Sequence, residues 1–166
     1  MADPAVISVL AILHVVFAVS WLGGVGIYVS SVAPGVTTMT PRARIEFGAK
    51  VGPRLVRFFG VAGTLTIVFG LGLLFELFGS NYSSWPTTIE IGFTMGLLAY
   101  IVALTVTVPS SVKVGRMAKQ MLDDSNQGPP PEEFARSFRK LDMGTYAISL
   151  LLLLAAIFMV GTAFPW

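Results

Sequence analysis

Apolar residues in this chain come in four long runs, separated by short polar stretches, with no alternation at period two. From Ala5 to Ala33 no residue carries a formal charge, and His14 is the only ionisable side chain apart from Tyr28. The runs predict helices at about 5–33, 55–79, 88–112 and 142–164. Each reaches the roughly 20 residues needed to cross about 30 Å of hydrocarbon as a helix. Backbone groups in lipid must pair internally, and these runs are too long for barrel strands. The pattern therefore predicts an all-α, polytopic integral membrane protein, with four transmembrane helices bundled into a single domain over 1–166. Pro34 is expected to close the first helix. That helix has no basic start, and its apolar stretch is far longer than the 7–15 residues or so of a signal-peptide core, so it is expected to remain in place.

Composition agrees with the pattern. Hydrophobic residues make up 54% of the 166 and charged residues only 12%, about half the charged share of a soluble domain. Cysteine is absent, which excludes disulfides, thiolate metal sites and cysteine nucleophiles.

The net charge of +2 is less informative than its placement. Arg42, Arg44, Lys50, Arg54 and Arg57 lie between or beside the first two runs. Lys113, Arg116, Lys119, Arg136, Arg139 and Lys140 lie between the last two. Positive residues favour the cytoplasmic side, so loops 34–54 and 113–141 are expected there, with both termini extracytoplasmic in a cell-membrane protein. The bases thus read as topology determinants and not as a nucleic-acid face. Trp85, Tyr82 and Trp166 fall at the expected outer interface, the place of an aromatic belt. Residues 40–51 predict a short amphipathic helix opened by Thr40-Pro41. The third run is expected to continue beyond the membrane, and a charged helix from Glu132 to lead into the fourth as a solvated stalk or surface helix.

Few polar side chains interrupt the spans. His14 lies near the midplane of helix 1, where an imidazole must be neutral, paired or ligating. It can be a core residue bonded to Ser, Thr or a carbonyl, a metal or haem ligand, or part of a proton relay. Trp21, seven residues on, shares its face, and Gly23 and Gly24 permit close approach beside it. Glu76 and Glu90 flank the turn between helices 2 and 3 with no basic partner. They can share a divalent cation or simply reach headgroup water. Arg54 and Arg57 stand where helix 2 meets the membrane, placed to snorkel or to contact a lipid phosphate or a partner carboxylate. Pro109 is expected to bend helix 3, with Thr105 or Thr107 relieving the freed carbonyls. No catalytic set is present, so the chain does not read as an enzyme by itself.

The stretch Leu13–Gly24, LHVVFAVSWLGG, resembles the first helix of the copper-resistance protein D (CopD-like) membrane family. Arg57-Phe58, followed by Gly63, Thr64 and Gly70-Leu71, resembles that family's second helix. The resemblance covers roughly the first 75 residues. It implies a helical membrane domain with a buried histidine and a role in copper transport or homeostasis, with His14 as metal contact framed by Trp21, Gly23 and Gly24. This chain departs from larger members, which have more helices and more histidine or methionine. A weaker resemblance, to HemJ-type protoporphyrinogen oxidases, rests on the His and Trp in helix 1 and implies haem. The expected cofactors are thus copper or haem b, with none as the equal alternative. The functional alternatives are an accessory transmembrane subunit of a larger membrane oxidase or monooxygenase, and a haem-binding redox protein. The expected partners are the lipid bilayer and other chains in a homo- or hetero-oligomer.

Overall fold

A computed structural model describes residues 3–79, 85–123 and 130–161. Every regular element among them is helical: α1 (Pro4–Thr38), α2 (Pro41–Lys50), α3 (Gly52–Phe78), α4 (Thr87–Asp123) and α5 (Glu132–Gly161). Of these, α1, α3, α4 and α5 are long and apolar enough to cross a membrane. The protein is a multi-pass membrane bundle of four helices with one short helix, α2, beside it. One end, called neutral because it carries no Lys or Arg, holds Pro4, Phe78, Thr87 and Gly161; the basic end holds α2 and the Lys- and Arg-bearing ends of α3, α4 and α5.

The helix ends have local causes. The Asp3 carboxylate accepts from the Ala5 amide at 2.9 Å, with Pro4 in the first turn of α1. Thr40 caps α2 by accepting from the Ala43 amide at 3.3 Å. Gly79 stops α3 with φ of +64°, a conformation that disfavours residues with a Cβ.

Pro34 does not close the first helix. Before it, Tyr28–Val32 forms a π-helical turn in which the Ala33 amide reaches back to the Tyr28 carbonyl. The wider turn accommodates a proline that has no amide to give and would crowd the carbonyl one turn back. The same device recurs in α4: Ala103–Thr107 is π-helical, and the Val108 amide bonds the Ala103 carbonyl just ahead of Pro109. Thr105 Oγ1 donates to the Ile101 carbonyl at 2.8 Å. Thr107 Oγ1 is buried with no partner among the described residues. The π-helical turn thus accompanies Pro109, and of the two threonines Thr105 bonds a carbonyl there while Thr107 does not.

At 35 residues, α1 is about 52 Å long at 1.5 Å per residue, well beyond the hydrocarbon thickness. The excess lies at the basic end, where Val36 of α1, Ile45 and Ala49 of α2, Val114 and Ala118 of α4 and Phe134 and Phe138 of α5 form a second core. The segment expected as a solvated stalk thus buries one face. Arg44 fastens α2 to the end of α1: its Nη2 donates to the Thr37 carbonyl at 2.8 Å and its Nε to the Val36 carbonyl at 3.2 Å. A cation there also complements the helix dipole. Lys113 and Glu133 join α4 to α5 at 2.6 Å. Both are at least half exposed, so this pair fixes geometry more than it adds stability.

Within the membrane-spanning part, the bundle consists of two tight antiparallel pairs, α1 with α3 and α4 with α5. Glycines set both registers. A Cβ at Gly63 would stand 3.0 Å from Trp21 Cε2, and one at Gly70 would stand 2.8 Å from His14 Cε1. Seven residues along α1 answer seven residues along α3. In the other pair, Gly92 receives Met159 and Gly144 receives Thr107. Between lipid-soluble helices, such close packing replaces the hydrophobic drive. The outward faces carry exposed Val9, Ile12, Val16, Val61, Leu150 and Ile157, suited to lipid. Contact between α3 and α4 is sparse. The two pairs diverge toward the neutral end and leave a space between them.

Candidate functional site

That space is a half-open cavity of about 430 Å³, reached by all four spanning helices and open toward the surrounding lipid where exposed Val15, Val19, Leu77 and Val160 line it. His14, Ala18 and Trp21 come from α1, Thr66, Gly70 and Leu74 from α3, Phe93 and Gly96 from α4, and Leu152, Ala155 and Met159 from α5. No Asp, Glu, Lys or Arg lines it. Its volume lies within the range of small-molecule sites, which are mostly apolar with a few placed polar groups.

His14 is the principal polar group in the wall. Its Nδ1 lies 2.9 Å from the Thr66 carbonyl oxygen. A carbonyl only accepts, so Nδ1 is the donor. The Thr66 hydroxyl is engaged elsewhere, donating to the Ala62 carbonyl at 2.8 Å. Gly70 makes the His14 contact sterically feasible: it stands one turn after Thr66, and a Cβ there would lie 2.9 Å from Nδ1. The imidazole thus crosses onto the α3 backbone through the gap left by a missing side chain. Its Nε2 has no partner among the described residues and is not sealed by protein atoms.

Trp21 closes the wall toward the basic end. It is 1% exposed and packs with Val25, Ala62, Ala99, Ile148 and Leu152. Its indole meets Tyr100 edge-on at 6.3 Å and 88°, and the Tyr100 hydroxyl pairs with Thr64 Oγ1 at 2.8 Å. Of the two glycines expected to frame His14, Gly24 faces α3, where a Cβ would lie 2.7 Å from Phe59 Cε1. Gly23 is exposed, with nothing within 4 Å of its Cβ position, and frames nothing.

The other sequence candidates lie apart from this site. Glu76 and Glu90 are both exposed and line no part of the cavity. Arg54 is exposed and donates to the Lys50 carbonyl at 2.7 Å. Arg57 is exposed and makes no ion pair among the described residues. Trp85 meets Phe93 edge-on at 6.2 Å, while Tyr82 and Trp166 lie outside the described residues.

The expected copper or haem b centre does not survive. Among the described residues, no group of three or more His, Asp or Glu side chains comes together. The chain has one histidine and no cysteine, so His14 could offer a metal a single nitrogen, Nε2. Glu76 and Glu90 gain no third ligand. The residues present do not supply the donor set of a metal or haem centre.

Sequence reasoning missed two features. One is the α4–α5 side of the cavity, for which the spacing of Gly92 and Gly96 was the available signal. The other is a bond nearer the basic end, where Tyr28 Oη donates to Asp142 Oδ1 at 2.9 Å and ties the π-helical turn of α1 to α5.

Comparison with known protein families, curated proteins and solved structures finds no match to this chain.

Proposed function

We propose that this protein is a membrane-embedded binding protein for a lipophilic small molecule, held between its two helix pairs. The observation that carries this reading is the cavity of about 430 Å³, apolar on all sides except for one oriented imidazole. A bundle serving only to span the bilayer would gain by bringing its two pairs together, because direct helix packing gives more dispersion contacts than a gap filled by mobile lipid chains. Paired small residues such as Gly63 and Gly92 show how closely these helices pack elsewhere. A ligand that fills the gap restores those contacts, and the bilayer delivers lipophiles directly to the helix faces.

Trp21 provides the test, since it lines the cavity yet is shielded from surrounding lipid. In a variant with Trp85 and Trp166 replaced by phenylalanine, reconstituted in nanodiscs, bromobenzene should quench Trp21 fluorescence saturably at near-stoichiometric amounts. Quenching that only rises in proportion to the probe dissolved in lipid would remove the reading and leave an accessory-subunit role.

The orientation follows from charge. Both termini are extracytoplasmic in this reading, because all eleven basic residues lie toward the opposite end. Single cysteines at Asn81 and Ser125 should behave oppositely toward an impermeant thiol reagent applied to intact cells. Position 81 should label and position 125 should not; the reverse pattern would invert the topology.

A further inference from the structure

We infer that the ligand of this cavity is an uncharged lipophile bearing a hydroxyl group, such as a phenol or a long-chain alcohol, whose O–H donates to Nε2 of His14. The inference rests on the lipophile-binding reading and specifies the chemistry of the same site.

The donor direction follows from the tautomer. The Thr66 carbonyl obliges Nδ1 to carry a proton. A neutral ring then presents a lone pair at Nε2, which has no partner among the described residues. The Thr66 hydroxyl is occupied by the Ala62 carbonyl. The imidazole therefore offers an acceptor and no donor. A ligand with only a carbonyl or ether oxygen leaves both its own acceptor and Nε2 unpaired, whereas a hydroxyl satisfies Nε2.

Depth excludes charged headgroups. His14 lies ten residues after Pro4, about 15 Å along the helix and near the middle of about 30 Å of hydrocarbon. A phosphate or ammonium at that depth would lose its hydration and find no counter-charge in a lining without Asp, Glu, Lys or Arg. A phospholipid must keep its head at the interface and cannot present it to His14. A compact hydroxylated lipophile can, with its apolar body extending toward Leu77 and Ile89 near the neutral end.

The experiment compares para-nonylphenol with its methyl ether on the full-length protein in nanodiscs. Two readouts are used: saturable change in Trp21 fluorescence, in the background lacking the other two tryptophans, and the ring resonances of ¹⁵N-labelled histidine. His14 is the only histidine, so its two ring nitrogens are the only imidazole signals. Both compounds should bind. The phenol should bind about three- to tenfold more tightly, the worth of one net hydrogen bond, and should alone move the Nε2 resonance. His14→Phe should abolish the difference between the two compounds while both still bind. Equal affinities with an unmoved Nε2 signal, or a resting ring with its proton on Nε2, would overturn the inference and leave the lipophile-binding reading intact. Saturable binding of neither compound would overturn both.

Discussion

Replacing Trp21 with alanine should lower the stability of the bundle by about 3–5 kcal/mol, the range for removing a large aromatic from a packed core. The effect should be large because the side chain serves every spanning helix at once. It projects from α1, lies flat over Gly63 of α3, meets Tyr100 of α4 edge-on and touches Ile148 and Leu152 of α5. Lipid is as apolar as the bundle interior, so the loss is mainly of dispersion contacts and of shape, not of transfer from water. The hole would also open into the existing cavity beside it, where nothing is positioned to collapse inward. Trp21→Phe keeps a ring against Tyr100 and should lose less than half as much. Unfolding by SDS titration in mixed micelles, followed by helical circular dichroism, measures both. A loss below about 1 kcal/mol for Trp21→Ala would mean that the helix pairs hold without this contact, contrary to the packing argument.

That contact also shows what the sequence could and could not reveal. The four spans were legible because so short a chain has too little polar surface to bury four unbroken apolar runs away from water. The shared face of His14 and Trp21 was legible too, from their spacing of seven. Their partners were not. Gly63 and Gly70 read only as small residues, and a glycine is compatible with any large neighbour. The partner of His14 is a backbone carbonyl, a group every residue carries, so no residue type could announce it. The end of α1 was hidden for a similar reason: the π-helical turn that carries the chain past Pro34 is a matter of backbone pairing, and Tyr28–Val32 has no composition that marks it. The copper expectation came from resemblance in the first two helices and the haem expectation from the first alone, while a metal centre needs donor side chains gathered at one place. The described residues do not gather them. The apolar face of the charged helix was legible, since Phe134, Phe138 and Leu141 recur at helical spacing; what it packs on was not, because the partners in the second core come from three other helices.

Gly96→Leu should weaken lipophile binding while leaving the bundle as stable as before or more so. Gly96 is buried in α4 on the cavity wall, and a Cβ there meets nothing within 4 Å. A leucine side chain can therefore start into the cavity without a clash at its Cβ, and a helical glycine replaced by leucine gains up to about 1 kcal/mol of intrinsic propensity. The binding probe then competes with a covalently attached occupant, and its affinity should fall at least about tenfold, equivalent to 1.4 kcal/mol. Gly70 lines the same cavity and predicts the opposite balance. A Cβ there would stand 2.8 Å from His14 Cε1 and 2.9 Å from Nδ1, so Gly70→Ala should push the imidazole off the Thr66 carbonyl. Stability should drop by about 1–3 kcal/mol, as for other overpacked sites, while the apolar volume stays open and bromobenzene still binds. Saturable quenching of Trp21 and thermal unfolding of both variants in nanodiscs separate the two effects. A folded Gly96→Leu protein that binds bromobenzene as the parent does would show that the ligand does not rest against this wall of the cavity.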